Sequence, residues 1–140
     1  MSTERSERAN AALEKHNKGY NCAQSVTCVF TDKTDLDEET LFRITEGMGL
    51  GMGGMEGTCG AIGAAAILSG LQNCTIHLDH PDSKKTSYQA SKRCLTCFKE
   101  QNGSVTCKDL KGMETGTPLR SCNDCIADAV EIIEKELYTE

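Results

Sequence analysis

The sequence predicts an all-α protein: a single compact domain of six to seven helices around a central helix of small residues, spanning residues 1–140. Three observations carry that expectation. Apolar residues recur at helical spacing, while alternation of period two is scarce. Two prolines, no tryptophan, three phenylalanines and three tyrosines leave little material for a sandwich or barrel. The stretch over residues 47–70, GMGLGMGGMEGTCGAIGAAAILSG, passes from a glycine-saturated loop into a helix. Its Gly60, Gly63, Ala64, Ala65, Ala66, Ser69 and Gly70 would let neighbouring helices pack closely. A chain of 140 residues is long enough to enclose one hydrophobic core.

Residues 2–16 read as a polar, surface-lying helix, stopped by Asn17 and Gly19. Asn21 is an N-cap with Gln24 three residues on, a variant of the capping box. Cys22 then takes the first helical position, and Val26, Val29 and Phe30 continue the apolar face. Residues 31–37 form a polar connection, after which Asp35 or Asp37 caps a helix carrying Leu41, Phe42, Ile44 and Met48. Gly49-x-Gly51-x-x-Gly54 has the letters of a dinucleotide fingerprint. That motif needs a preceding strand, and a helical pattern stands there instead. No Gly-Lys-Ser/Thr is present for a phosphate-binding P-loop. The glycines instead allow a tight path with positive φ beside Cys59.

Thr58 caps the central helix and places Cys59 at its first position. Residues 74–84 are a loop, and residues 85–101 a helix with Tyr88, Ser91, Cys94, Leu95 and Phe98 along one face. Asn102-Gly103 ends it. Ser104 caps a short helix with Cys107 at its third position, and Gly112, Gly116 and Pro118 mark the loop beyond. Ser121 caps the last helix, Asp124 completing an S-x-x-D box. Cys122, Cys125, Ile126, Ala129, Ile133 and Leu137 make its apolar stripe.

Nine cysteines are the chemical signal. The first residues are charged and polar, with no apolar leader segment, and no run approaches the ~18 apolar residues of a membrane span. A cytoplasmic protein without membrane insertion is therefore expected. There thiols stay reduced, and an odd number cannot all pair within one chain, so metal binding or redox work is the better default. A net charge of −6 and the absence of a basic stripe argue against a nucleic-acid partner. No Ser/His/Asp constellation supports a hydrolase.

Cys22, Cys59, Cys107 and Cys122 each fall in the first turn of a predicted helix. Unpaired N–H groups and the helix dipole favour the thiolate there. Four such starts meeting at one spot would stabilise reactive thiolates or an anionic metal–thiolate cluster. The plain alternative is that cysteine is a small, core-loving residue. Cys94-x-x-Cys97 and Cys122-x-x-Cys125 each put two thiols on one helix face, for a tetrahedral zinc or a dithiol–disulfide couple. The couple needs its first cysteine at a helix start, which fits Cys122 and not Cys94. Phe98 and Ile126, not histidine, follow the two motifs, which disfavours covalent c-type haem. Cys74-x-x-His77-x-x-His80 carries metal donors but reads more simply as a solvent loop. Cys28 reads as packing and His16 as a helix-end residue suited to the dipole. Met48, Met52 and Met55 read as filler.

The segments Gly19-Tyr20-Asn21-Cys22-Ala23-Gln24 and Gly57-Thr58-Cys59-Gly60-Ala61-Ile62-Gly63, the run from Phe98 through Gly103-Ser104 to Cys107, and Cys122 together resemble the C_GCAxxG_C_C family. The resemblance covers nearly all the chain after the first helix. It implies a redox activity, for which the family is named although its reaction is not established. It also implies that the family's four signature cysteines are Cys22, Cys59, Cys107 and Cys122, and that a transporter-linked partner is to be considered. Some relatives are associated with haem attachment, for which this chain lacks the motif. Cys28, Cys74, Cys94, Cys97 and Cys125 are additional to the pattern.

The favoured expectation is thiol–disulfide oxidoreductase chemistry with an unknown redox partner. Cys59 is its activated thiolate, and Cys22, Cys107 or Cys122 resolves. The alternatives are zinc or an iron–sulfur cluster on those four cysteines, with Cys94, Cys97 and Cys125 as weaker ligands, or a redox-sensing accessory module of a transporter-linked system.

Overall fold

In the computed structural model, residues 4–139 are described, and their regular structure is helical. α1 (Glu7–Asn17) begins where the Ser6 side chain accepts from the Ala9 N–H. The expected start at Ser2 lies outside the described residues, and residues 4–6 are not helical. A tertiary contact explains the later start: the Ser6 N–H donates to Glu131 Oε2 at 2.8 Å, turning the backbone away from a helical path. Ala9 and Ala12 are fully buried, and this small-residue stripe lets α1 lie against α8 (Cys122–Leu137). Its other faces are polar.

α2 (Cys22–Thr27) starts with the expected capping box: the Asn21 side chain accepts from Gln24 N–H, and the Gln24 side chain accepts from Asn21 N–H. It ends before Val29, and Phe30 leads into a 3₁₀ turn at Thr31–Lys33. Asp37, not Asp35, caps α3 (Glu38–Thr45), whose Leu41 and Thr45 point inward while Ile44 is 47% exposed. Met48 lies beyond this helix, in a second 3₁₀ turn at Glu46–Met48.

The glycine loop contains one helical turn, α4 (Gly49–Met52), in which Leu50 and Gly51 are left-handed at φ 53° and 56°. Met52 and Met55 are left-handed too, at φ 64° and 67°. Positive φ thus falls on side-chain-bearing residues as well as on glycines, at roughly 1–2 kcal/mol each. Backbone bonds to the 105–108 segment hold this path: Cys107 N–H to Gly57 O at 3.0 Å, Lys108 N–H to Met55 O at 3.1 Å, and Cys59 N–H to Val105 O at 2.6 Å. Thr58 and Thr106 form the isolated β-bridge at the centre of that ladder.

α5 (Gly60–Asn73) is the central helix, touched by α2, α4, α6 (Lys84–Asn102) and α8. Gly60 through Ala65, Leu68 and Ser69 are buried. Ile62 and Leu68 pack with Phe30, Phe98, Ile126 and Ile133 in the core. Burying each such side chain is worth roughly 1.5–3 kcal/mol relative to exposure. On α6 the inward residues are Ala90, Cys94 and Phe98, whereas Tyr88, expected on that face, is 65% exposed. α7 (Cys107–Lys111) is a single short helix, capped by Gly112 at φ 71°.

At the start of α5 the backbone of the glycine loop and α2 come close to Gly60. A Cβ there would sit 2.8 Å from the Met48 carbonyl oxygen and 3.3 Å from Ala23 Cβ, so α2 and the glycine loop close on α5 only because nothing projects. Gly60→Ala is expected to cost about 1–3 kcal/mol by overpacking. Urea denaturation checks this, and an unchanged midpoint would mean that the contact relaxes freely.

Candidate functional site

Five cysteines line one cavity of about 220 Å³. Cys22 is the first residue of α2, Cys122 the first of α8, and Cys107 the first of α7. Cys59 is the N-cap of α5, and Cys125 stands one turn into α8. All four helix-start cysteines of the sequence reading are therefore brought together, with two shifts of position. Cys59 precedes the first helical residue instead of occupying it, and Cys107 is first in its helix instead of third. Both shifts come from the Thr58–Thr106 bridge, which keeps those threonines extended and delays the helix starts. Ser104 does not cap α7; its hydroxyl accepts from Thr106 N–H and donates to Asp109 Oδ2, each at 3.0 Å.

Electrostatically the sulfurs couple most strongly in two pairs, Cys22 with Cys122 and Cys59 with Cys125. The Cys22 thiol is the partner of Cys122, and this contact is the largest effect on both groups. Cys22 keeps its proton and its pKa is pushed up. Cys122 accepts and is brought down to about 5 against the cost of burial, helped by Lys111, whose Nζ donates to its Sγ at 3.3 Å, and by the field of His16. In the second pair the influence of each sulfur on the other raises Cys125 and brings Cys59 down to about 7. The N–H groups of Ala61 and Ile62, at the open start of α5, also favour the Cys59 thiolate. Burial pushes the Cys107 thiol up, and the neighbouring Cys59 adds to that.

Around the sulfurs the lining is mostly apolar, with Leu50 and Leu110 on its wall and Gly51 where a Cβ would strike Cys107 Cβ at 2.4 Å. Lys111, Arg120 and His16 supply cationic or polar groups. Arg120 is fixed by Asp128, which accepts from Nε at 2.9 Å and from an Nη at 3.2 Å. His16 Nδ1 bonds the Tyr20 carbonyl at 2.9 Å.

Cys125 does more than a stripe residue or weak ligand would, since it completes the second pair. The spacing Cys122-x-x-Cys125 carried that signal. Lys111 and Arg120 were not singled out in the sequence. Lys111 follows Cys107 by one helical turn, so a face argument on α7 would have found it.

The weaker ligand set of Cys94, Cys97 and Cys125 is not assembled. Cys94 is wholly buried in the core, and Cys97 donates to Glu136 Oε2 at 3.5 Å. Glu136 stands about three turns, or ~16 Å, along α8 from Cys125. The α6 motif thus packs on the far end of α8 from the cavity. Cys74, His77 and His80 are exposed on the 74–83 loop, where His77 Nδ1 pairs with Asp82 at 2.9 Å. Cys28 is buried with its thiol toward the Glu38 carbonyl. Among the described residues, no group of three or more His, Cys, Asp or Glu side chains is arranged to hold a metal ion. No helix among them is long and apolar enough to cross a membrane.

Fold and cavity together define an all-α thiol protein whose cysteines gather at helix starts. The family model described as "Putative redox-active protein (C_GCAxxG_C_C)" matches residues 20–136, and the chain belongs to that family. No curated protein and no solved structure matches it.

The contact from Lys111 gives a direct test. Lys111→Met removes one charge-assisted donor from the Cys122 thiolate, and the Cys122 pKa should rise by about one unit. Nucleophilic reaction needs the thiolate, so its rate grows as pH climbs through that pKa. In the wild type, iodoacetamide labelling of Cys122 should already be near its plateau at pH 6. In the variant it should fall severalfold at pH 5–6 and recover above pH 7, as read by peptide mass spectrometry. Identical profiles would remove Lys111 from the site.

Proposed function

We propose that the protein is a dithiol–disulfide redox protein and that its cavity is the reacting centre. The observation that carries this reading is the cavity itself: five thiols line one wall, and the Lys111 ammonium donates to Cys122 Sγ at 3.3 Å. Cys122 takes the attacking role that helix position alone suggested for Cys59, because it is half-buried whereas Cys59 is 6% exposed. Its thiolate attacks one sulfur of a partner disulfide, the partner's S–S bond breaks, and one partner thiolate leaves. Cys22 then gives up its proton and attacks Cys122 Sγ, closing the Cys22–Cys122 disulfide and releasing the second partner thiolate. Two electrons and the Cys22 proton pass from the pair to the partner, whose second thiolate is protonated from solvent. A low thiol pKa gives Cys122 a standing thiolate population and makes it a good leaving group in the reverse direction.

Metal binding is the second reading, favoured by five sulfur donors on one cavity wall. Soft thiolates suit zinc or an iron–sulfur cluster. Against it stands the spacing, since among the described residues no three ligating side chains are arranged around a common point. Iron and zinc analysis of protein purified without oxygen separates the two readings: near-stoichiometric metal lost in Cys59→Ser would make these cysteines ligands.

For the redox reading, fully reduced protein treated with stoichiometric hydrogen peroxide should yield Cys22–Cys122 and Cys59–Cys125 disulfides on non-reducing peptide mapping. Cys94 and Cys97 should remain alkylatable. If every one of the nine thiols can still be alkylated after that treatment, the cavity is not a dithiol centre.

A further inference from the structure

We propose that the two cysteine pairs form a relay: Cys22–Cys122 exchanges with bulky external disulfides, and Cys59–Cys125 is an inner pair that communicates with them only through the outer one. This rests on the dithiol reading above and extends it, since it makes the cavity a store of four electrons served by one entrance. The argument is one of access and adjacency. Cys59 is 6% and Cys125 2% exposed, while Cys22 and Cys122 are only half-buried. A disulfide exchange needs the attacking sulfur to reach the S–S bond along its axis, so a partner the size of glutathione disulfide cannot approach the inner pair.

The four sulfurs are nonetheless neighbours. All four line the same cavity of about 220 Å³, and Cys122 and Cys125 stand one turn apart on the same face of α8. Once the outer disulfide has formed, Cys59 attacks Cys22 Sγ. The Cys22–Cys122 bond breaks and Cys122 leaves as a thiolate, received by the Lys111 ammonium at 3.3 Å. Cys125 then gives up its proton and attacks Cys59 Sγ, closing Cys59–Cys125. Cys22 leaves and takes the proton. The outer dithiol is restored, the inner dithiol has lost two electrons, and nothing outside the protein is consumed in the transfer. A second partner disulfide can then be reduced.

Lys111 gives the relay a direction. It stabilises Cys122 as leaving group and touches neither inner sulfur, so passing an external disulfide inward ends with a favoured thiolate at the entrance.

The test uses the full chain, fully reduced, with glutathione disulfide as the bulky probe and hydrogen peroxide as the small one. In the wild type both probes should generate Cys59–Cys125. In the Cys22→Ser/Cys122→Ser double variant, peroxide should still close Cys59–Cys125, while glutathione disulfide should do so at least tenfold more slowly. Equal rates with glutathione disulfide in variant and wild type would overturn the relay while leaving the dithiol reading intact. Failure of both probes in the wild type would instead defeat the dithiol reading itself. Cys125→Ser gives an independent check by blocking the second exchange. It should trap a disulfide between Cys59 and an outer cysteine, found by peptide mapping, and absence of any such bond would also overturn the proposal.

Discussion

The structure depends on how closely other backbones can approach the start of α5. Gly60 meets the Met48 carbonyl and Ala23 with no room for a methyl group, and the buried run through Ala65 keeps the next turns slim. Bulk on that face would push α2 and the glycine loop outward and draw Cys22 away from the other sulfurs. Close packing of this kind is rigid, because an interior at crystal-like density does not yield to a misplaced methylene. The cavity is therefore a consequence of the small-residue helix, and its cysteines are positioned by backbone contact more than by their own side chains.

The glycine loop bears the cost of that arrangement. Three side-chain-bearing residues, Leu50, Met52 and Met55, are held left-handed within a short span beside the cysteines. Such strain persists only where the surroundings over-determine the path. Here the ladder from Gly57 and Met55 to Cys107 and Lys108 does so. The same ladder aims α7, so that Cys107 and Lys111 both face the cavity. Backbone strain, a thiol and a cation are thus linked through three hydrogen bonds.

Electrostatics explain why thiolates are tolerated in a largely apolar cavity. A buried anion without partners is costly, and here each thiol pulled low stands beside one pushed up, Cys122 beside Cys22 and Cys59 beside Cys125. Lys111 adds a full charge for Cys122, and the open N–H groups of α5 add partial charges for Cys59. Outside, Arg120 is locked by the 5%-exposed Asp128 and Arg5 pairs with Asp124, tying the start of α8 to neighbouring segments. α8 contributes both Cys122 and Cys125, so fixing its start fixes one member of each pair.

Local signals carried much of this in the chain itself. Helical periodicity, the Asn21, Asp37 and Ser121 caps and the crowding of cysteines at helix starts were readable, because a cap is a contact between residues three apart. Cys59 and Cys107 were displaced by one or two positions for the opposite reason: a bridge between Thr58 and Thr106, distant in sequence, holds both starts extended. The two Cys-x-x-Cys motifs have identical spacing, yet only that of α8 reaches the cavity, while Cys94 and Cys97 pack near Glu136. Spacing sets which residues share a helix face, and only the packing of helices decides what that face meets. The sequence by itself therefore determined a helical, cysteine-rich protein with four of its cysteines at helix starts. Which sulfurs share a cavity, Cys22, Cys59, Cys107, Cys122 and Cys125 but not Cys94 or Cys97, was left to the tertiary structure, because they stand on segments that only the closed core brings together.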